Sequence, residues 1–176
     1  MENRAQKMLQ HLKLFYDRPV NIEKFIHVTQ NSNKEDVSLR LIDWLVTNYA
    51  KEKNVNYKVN SKAFNMHQMY KDMLKAYSKK LFDPFKRHDR ITLHTNDGLM
   101  YETTVAQLTF FKWAFENKVV EYANLNKEKI KLHMDTRTFH RKLIQPMAHN
   151  DKKRKQLSKS THIKKISNSN ILVSFT

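Results

Sequence analysis

The chain contains no cysteine, so disulfides, thiolate-held zinc and cysteine nucleophiles are excluded together. A single glycine, Gly98, rules out the phosphate-cradling P-loop, the glycine-rich dinucleotide turn and the Gly-x-Ser-x-Gly elbow in their usual forms. Only Pro19, Pro84 and Pro146 force breaks in the backbone, which makes a mainly helical chain the default expectation. No apolar run approaches the roughly 20 residues needed to span a bilayer. Met1–Lys13 is charged throughout and fits neither a secretory leader nor a membrane anchor. A soluble, intracellular protein is expected. Acidic residues are scarce as well: 17 Asp and Glu stand against 33 Lys and Arg, for a net charge of +16.

What is present is bulky and basic. Ten Phe, seven Tyr and two Trp supply enough large apolar surface for a real core. The 176 residues suit one domain of ordinary size with an appendage. Residues 1–148 read as a helix-rich α+β domain, and residues 149–176 as a flexible basic tail with a short apolar end, Ile171–Phe175. The charge is concentrated late: residues 136–176 carry 10 basic groups and 1 acidic group. Such an imbalance predicts attraction to phosphate-rich partners and says nothing about fold.

Periodicity sketches the domain. Residues Met1–Tyr16 are expected to form a helix ended by the Asp17-Arg18-Pro19 turn, followed by a short segment at Ile22–Val28. Asn33 is placed to cap a helix through about Lys51, with Leu41, Ile42, Leu45, Val46 and Tyr49 at helical spacing and Trp44 beside them. Val55–Val59 reads as a strand. Asn60 or Ser61 then caps a helix to about Leu81, with Met66, Met69, Met73, Tyr77 and Leu81 on one side. Ile91–Thr95, the Asn96-Asp97-Gly98 turn and Leu99–Thr103 read as a central β-hairpin over about 91–103. Thr104 and Gln107 have the residues of a capping box, opening a helix with Leu108, Phe111, Phe115, Val119 and Tyr122 inward. Lys127–Met134 is read as a strand, and Thr136–Ile144 as a short basic helix stopped near Pro146.

Three blocks carry a resemblance: Ser38–Tyr49 (SLRLIDWLVTNY), Leu74–Arg87 (LKAYSKKLFDPFKR) and Glu102–Ala114 (ETTVAQLTFFKWA). Together they resemble a recurrent protein family of giant viruses, the nucleocytoplasmic large DNA viruses, over about residues 36–123. The family has no established biochemical activity, so the resemblance implies a context: a virus whose large DNA genome is copied, transcribed and packed. Some members carry a cysteine near Lys86, and no thiol or metal role tied to it transfers to this chain.

No catalytic constellation stands out. Nine histidines are present, but His88, His94, His133, His140 and His149 show no tight ligand spacing with carboxylates, and no metal or other cofactor is expected. Asp83, Asp89, Asp97 and Glu102 lie near His88 and Lys86 without a motif joining them into a nuclease site. The candidate residues are therefore basic and nucleic-acid-binding. One set is Lys71, Lys75 and Lys79, recurring every fourth residue, continued by Lys80, Lys86, Arg87 and Arg90 around Phe82 and Phe85. Another is Arg137, Arg141 and Lys142. The last is the tail run Lys152, Lys153, Arg154 and Lys155 with Lys159, Lys164 and Lys165, which also has the form of a nuclear import signal.

The expected function is non-enzymatic, largely sequence-independent binding of duplex DNA, or genome packing, in the virion interior, the cytoplasmic viral factory or the nucleus. Self-association and contact with other virion proteins are the expected secondary partnerships. The alternatives are a scaffolding protein whose basic surface meets acidic partners, and an accessory factor in transcription or replication.

Overall fold

The structure is a computed structural model that describes residues 4–30, 37–85, 90–94, 98 and 100–144. Helices α1 (Arg4–Tyr16) and α2 (Pro19–Gln30) form the first pair. Pro19 occupies the first helical position of α2, where its missing N–H costs nothing. The segment expected at Ile22–Val28 is thus part of a full helix. Leu12 and Tyr16 of α1 and Phe25 of α2 are buried.

Helix α3 (Leu39–Trp44) starts at Ser38, whose Oγ accepts from the Leu41 N–H at 3.2 Å. The cap expected at Asn33 lies outside the described residues. The helix continues through a π-helical turn, Leu45–Tyr49, and a last turn, α4 (Ala50–Glu52). Leu41, Ile42, Leu45, Val46 and Tyr49 are all buried, as their spacing predicts.

The next stretch departs from expectation. Strands β1 (Asn56–Val59) and β2 (Lys62–Asn65) pair antiparallel, with Tyr57 opposite Phe64 and Val59 opposite Lys62. Asn60 and Ser61 do not cap a helix; they are the two central residues of this tight hairpin, with φ of 48° and 66°. A two-residue loop with both φ positive matches the twist of the paired strands, and Asn tolerates that conformation. The helix cap falls five residues later than Asn60, at Asn65, whose Oδ1 accepts from Gln68 N–H at 2.8 Å. Helix α5 (Met66–Phe82) buries Met66, Tyr70 and Phe82, while Met69 faces outward.

The expected hairpin is present as β3 (Arg90–His94) and β4 (Met100–Thr104), paired antiparallel with Thr92 opposite Glu102. Gly98, between them, has φ of +76°, the left-handed conformation a glycine supplies without strain. Helix α6 (Val105–Glu116) follows directly. Thr104 Oγ1 accepts from Gln107 N–H at 3.2 Å, but the Gln107 side chain accepts from Thr103 Oγ1 at 2.9 Å, so the box is closed through the preceding residue.

The helix does not run unbroken to Tyr122. Lys118, at φ 56°, turns the chain into α7 (Val119–Leu125). The strand expected at Lys127–Met134 is instead the first half of α8 (Lys127–Ile144), an 18-residue helix that absorbs the short basic helix expected at Thr136–Ile144. Ile130 and Met134, four residues apart, are the apolar anchors; Ile130 is fully buried and Met134 packs against the core. Among the described residues no helix is long and apolar enough to cross a membrane.

The core closes around α6, which packs on α1, α5, α7 and β4. Phe82, Phe110 and Trp113 meet with ring centroids 5.6–5.9 Å apart, and Tyr70 joins them. Phe111 packs edge-on to Phe25 at 5.4 Å, and Tyr16 donates its hydroxyl to the Leu108 carbonyl at 2.8 Å. Burial pushes the Tyr16 hydroxyl well above its usual range.

Two stability outcomes follow. Phe111→Ala should cost roughly 3–5 kcal/mol, because Phe111 is fully buried. Phe115→Ala should cost less, since Phe115 is only partly buried; urea denaturation ranks the two, and the reverse order would contradict this packing. Asp43, largely buried on α3 and facing the charge of Asp83, is raised from 3.8 to about 6. The folded state then holds the proton more tightly than the unfolded chain. Its contribution is therefore most favourable below about pH 4 and is lost as pH rises to about 6. Asp43→Asn should accordingly stabilise the fold at pH 7 by roughly 2–3 kcal/mol and leave it little changed at pH 4; equal effects at both pH values would overturn the assignment.

Candidate anion-binding cleft

Two helical walls meet across an open cleft of about 670 Å³. One wall is the α3–α4 run, contributing Trp44, Asn48, Lys51 and Glu52; the other is α8, contributing His133, Arg137, His140, Arg141 and Ile144. The α8 residues recur at helical spacing, so a single face of that helix lines the cleft. The π turn lies between Trp44 and Lys51, and such wide turns occur often at functional sites.

A chain of polar contacts fixes the floor. Trp44 Nε1 donates to His133 Nδ1 at 3.0 Å, and an indole N–H can only donate. His133 Nδ1 is therefore the acceptor and, in the neutral ring, Nε2 carries the proton. Nε2 lies 3.0 Å from Glu52 Oε2, off the hydrogen-bond line, so the contact is mainly electrostatic. The other claim on Glu52 comes from Arg137, whose guanidinium donates to the same carboxylate oxygen. Arg137 first and His133 second hold the Glu52 carboxyl below its ordinary value, so it is an anion at neutral pH. The Tyr49 ring stands edge-on to His133 at 5.3 Å and completes its seat.

The net balance in the cleft is positive. Lys51, Arg137 and Arg141 are permanent cations, His133 and His140 add ring nitrogens, and Glu52 is the one carboxylate lining it among the described residues. This arrangement suits an oxyanion: Arg presents a rigid fork of donors and Lys a point charge, with Trp44 and Ile144 supplying apolar surface beside them.

The structure brings together only some of the residues expected from sequence. Arg137 and Arg141 line the cleft, and Lys142 is exposed in the last turn of the same helix. Lys71 and Lys75 are exposed on α5, the latter 3.9 Å from Asp72. The every-fourth row to Lys79 is not continuous, because Ser78 has φ 65° and ψ 161° and breaks the helix before Lys79 and Lys80. Arg90 is exposed but already matched by Glu102 at 2.6 Å. Lys86, Arg87, Lys152, Lys153, Arg154, Lys155, Lys159, Lys164 and Lys165 lie outside the described residues. Trp44, Asn48, Lys51, Glu52, His133 and His140 were not among the expected site residues. Their signal was the polar stripe His133, Arg137, His140 and Arg141, which is visible only when residues 127–144 are taken as one helix. Among the described residues no group of three His, Asp or Glu side chains is placed to hold a metal ion.

Comparison with known proteins gives context without a biochemical role. The model of a family of unknown function (DUF7197) matches residues 2–149. An uncharacterized protein of Acanthamoeba polyphaga mimivirus is 33% identical over 148 residues, covering 78% of this chain and 52% of its own length. The chain thus spans about half the length of that relative. No solved structure matches.

The geometry makes a spectroscopic prediction. In its neutral form His133 should be the Nε2–H tautomer, and Trp44→Phe, which removes the donor to Nδ1, should let the Nδ1–H form appear in long-range ¹H–¹⁵N correlation spectra. Finding the Nδ1–H form in the unaltered chain would rule out the Trp44–His133 hydrogen bond.

Proposed function

The chain belongs to this family of unknown function, which has a relative in a giant virus, and from that premise we propose that it is a non-enzymatic, largely sequence-independent DNA-binding protein that helps pack or organise a large viral genome. Its place in this reading is the virion interior, the cytoplasmic viral factory or the nucleus. The observation that carries it is the cleft, where cations from two separate chain segments converge around the Glu52 carboxylate, which is already engaged. Exposed lysines on α5 and the remaining basic residues of α8 extend that positive field over the surface. Contacts of this kind neutralise phosphates and carry no base information.

A second reading, a scaffolding protein that assembles through copies of itself, is favoured by the outer face of α8. Leu132, Phe139 and Leu143 are 69%, 62% and 65% exposed there. Leu132 and Phe139 are seven residues apart, so two antiparallel α8 helices can set the Leu of each against the Phe of the other. Sedimentation without DNA separates the two: a tight dimer that ignores DNA supports assembly alone.

Under the DNA-binding reading, duplexes of unrelated sequence should bind with similar affinity, falling linearly in log affinity against log salt. Deleting residues 150–176 removes seven basic groups and one acidic group. If about six of those cations meet phosphates, the slope should drop by roughly five. Neutralising Lys51, Arg137 and Arg141 together should lower it by a further two to three, about 0.9 per lost contact. Fluorescence anisotropy across a salt series measures both. A preference of roughly 10³-fold or more for one sequence, or an unchanged slope in both variants, overturns the reading.

A further inference from the structure

The cleft has properties that a general duplex-binding surface does not need. It is concave and two-walled, and at about 670 Å³ it falls within the range of roughly 300–1,000 Å³ typical of small-ligand sites. Such a space admits one nucleotide unit. A duplex is too broad to enter and meets only the rim.

The charge points the same way. Among the described residues Lys51, Arg137 and Arg141 outnumber the Glu52 carboxylate by two, leaving the imidazoles of His133 and His140 out of the count. An internal phosphodiester brings a single negative charge, whereas a phosphate monoester brings about −1.5 to −2 at pH 7 and three acceptor oxygens. The monoester matches both the excess charge and the donor count. Arg137 is held in place beforehand: Trp44 fixes His133, and His133 and Arg137 share Glu52, so the guanidinium is oriented and retains free N–H groups. Preorganised donors of this kind bind without a further ordering cost. Beside them, Trp44 and Ile144 offer flat and apolar surface for a base or sugar, and Asn48 offers an amide that both donates and accepts.

We propose that this cleft binds the phosphomonoester end of a nucleotide, supplied either as a free nucleoside monophosphate or as the terminal phosphate of a DNA strand. Arg141 and Lys51 grip the phosphate with the free edge of Arg137, and Trp44 lies against the nucleoside. The inference rests on the polyanion-binding reading for its charge, but it requires a strand end or a free nucleotide where that reading requires only backbone.

The test uses the full chain, labelled with ¹⁵N, and four probes: deoxyadenosine 5′-monophosphate, deoxyadenosine, inorganic phosphate, and a hairpin duplex prepared with a 5′-phosphate or a 5′-hydroxyl. Relaxed circular DNA, which has no ends, serves as the reference. The monophosphate should move the Trp44 indole resonance and bind about tenfold or more tighter than either deoxyadenosine or inorganic phosphate. If strand ends are a source, the phosphorylated hairpin should outcompete the hydroxyl form by a similar factor; if only free nucleotides are, the hairpins should tie while the monophosphate still binds. Arg141→Gln and, separately, Lys51→Gln should erase the monophosphate preference, while circular DNA loses no more than one phosphate contact in each, a slope change of about 0.9; two variants guard against one that fails to fold. Inorganic phosphate binding as tightly as the nucleotide overturns the nucleotide assignment. An unmoved Trp44 signal and equal affinity for all three small probes, with circular DNA still bound, overturns the cleft inference alone. Monophosphate binding with no affinity for circular DNA sustains the cleft and sinks the genome-packing reading.

Discussion

Helix α6 is apolar around nearly its whole circumference, and a helix of that kind is stable only with neighbours on every side. Ala106, Leu108, Phe110, Phe111, Trp113 and Ala114 are all buried within its 12 residues. The rest of the fold supplies the cover: α1 and α2 through Tyr16 and Phe25, α5 through Tyr70 and Phe82, and the β3–β4 hairpin at its entrance. Two polar members of α6 are satisfied locally, Thr109 by the Val105 carbonyl at 2.8 Å and Gln107 by Thr103, whereas the Trp113 indole Nε1 is buried without a partner among the described residues. Even the break after α6 serves this arrangement. The left-handed turn at Lys118 folds α7 back so that Val119, Val120 and Ala123 join the same core, and α8 begins from there.

Where the code is local or strictly periodic, it could be read from sequence. The β3–β4 hairpin announces itself by alternation around Asn-Asp-Gly, and the run of α3 into the π turn by Leu41, Ile42, Leu45 and Val46. Asn60-Ser61 was ambiguous because residues that cap helices are also those that tolerate left-handed turns, and both uses rest on short polar side chains. Tertiary pairing of Tyr57 with Phe64, not local preference, settles the matter as a hairpin. The break at Ser78 left no trace either, since its backbone lies in a region almost reserved for glycine, and serine gives no sign of it.

The candidate site was hidden by a different cause. A helix is recognised by an apolar stripe, and α8 has one only for its first turns, at Ile130 and Met134. Beyond them the cleft-lining positions are His133, Arg137 and Arg141, and the partners of the first two, Trp44 and Glu52, are roughly eighty to ninety residues earlier in the chain. A polar face satisfied across such a separation looks, in one dimension, like a surface. The basic residues of the site were therefore legible as charge but not as a place, and Arg137 and Arg141 stood with Lys142 as a short basic helix with no partner surface.

The same feature shapes how firmly the cleft is held. The first half of α8 is anchored by burial, while in its last turns Leu143 and Ile144 are exposed among the described residues. What positions Arg141 is the rigidity of the helix together with the Glu52 pairing to Arg137 and His133, and an exposed ion pair of that kind adds little stability of its own. The two walls are thus joined tightly at the Ile130 end and loosely at the Ile144 end.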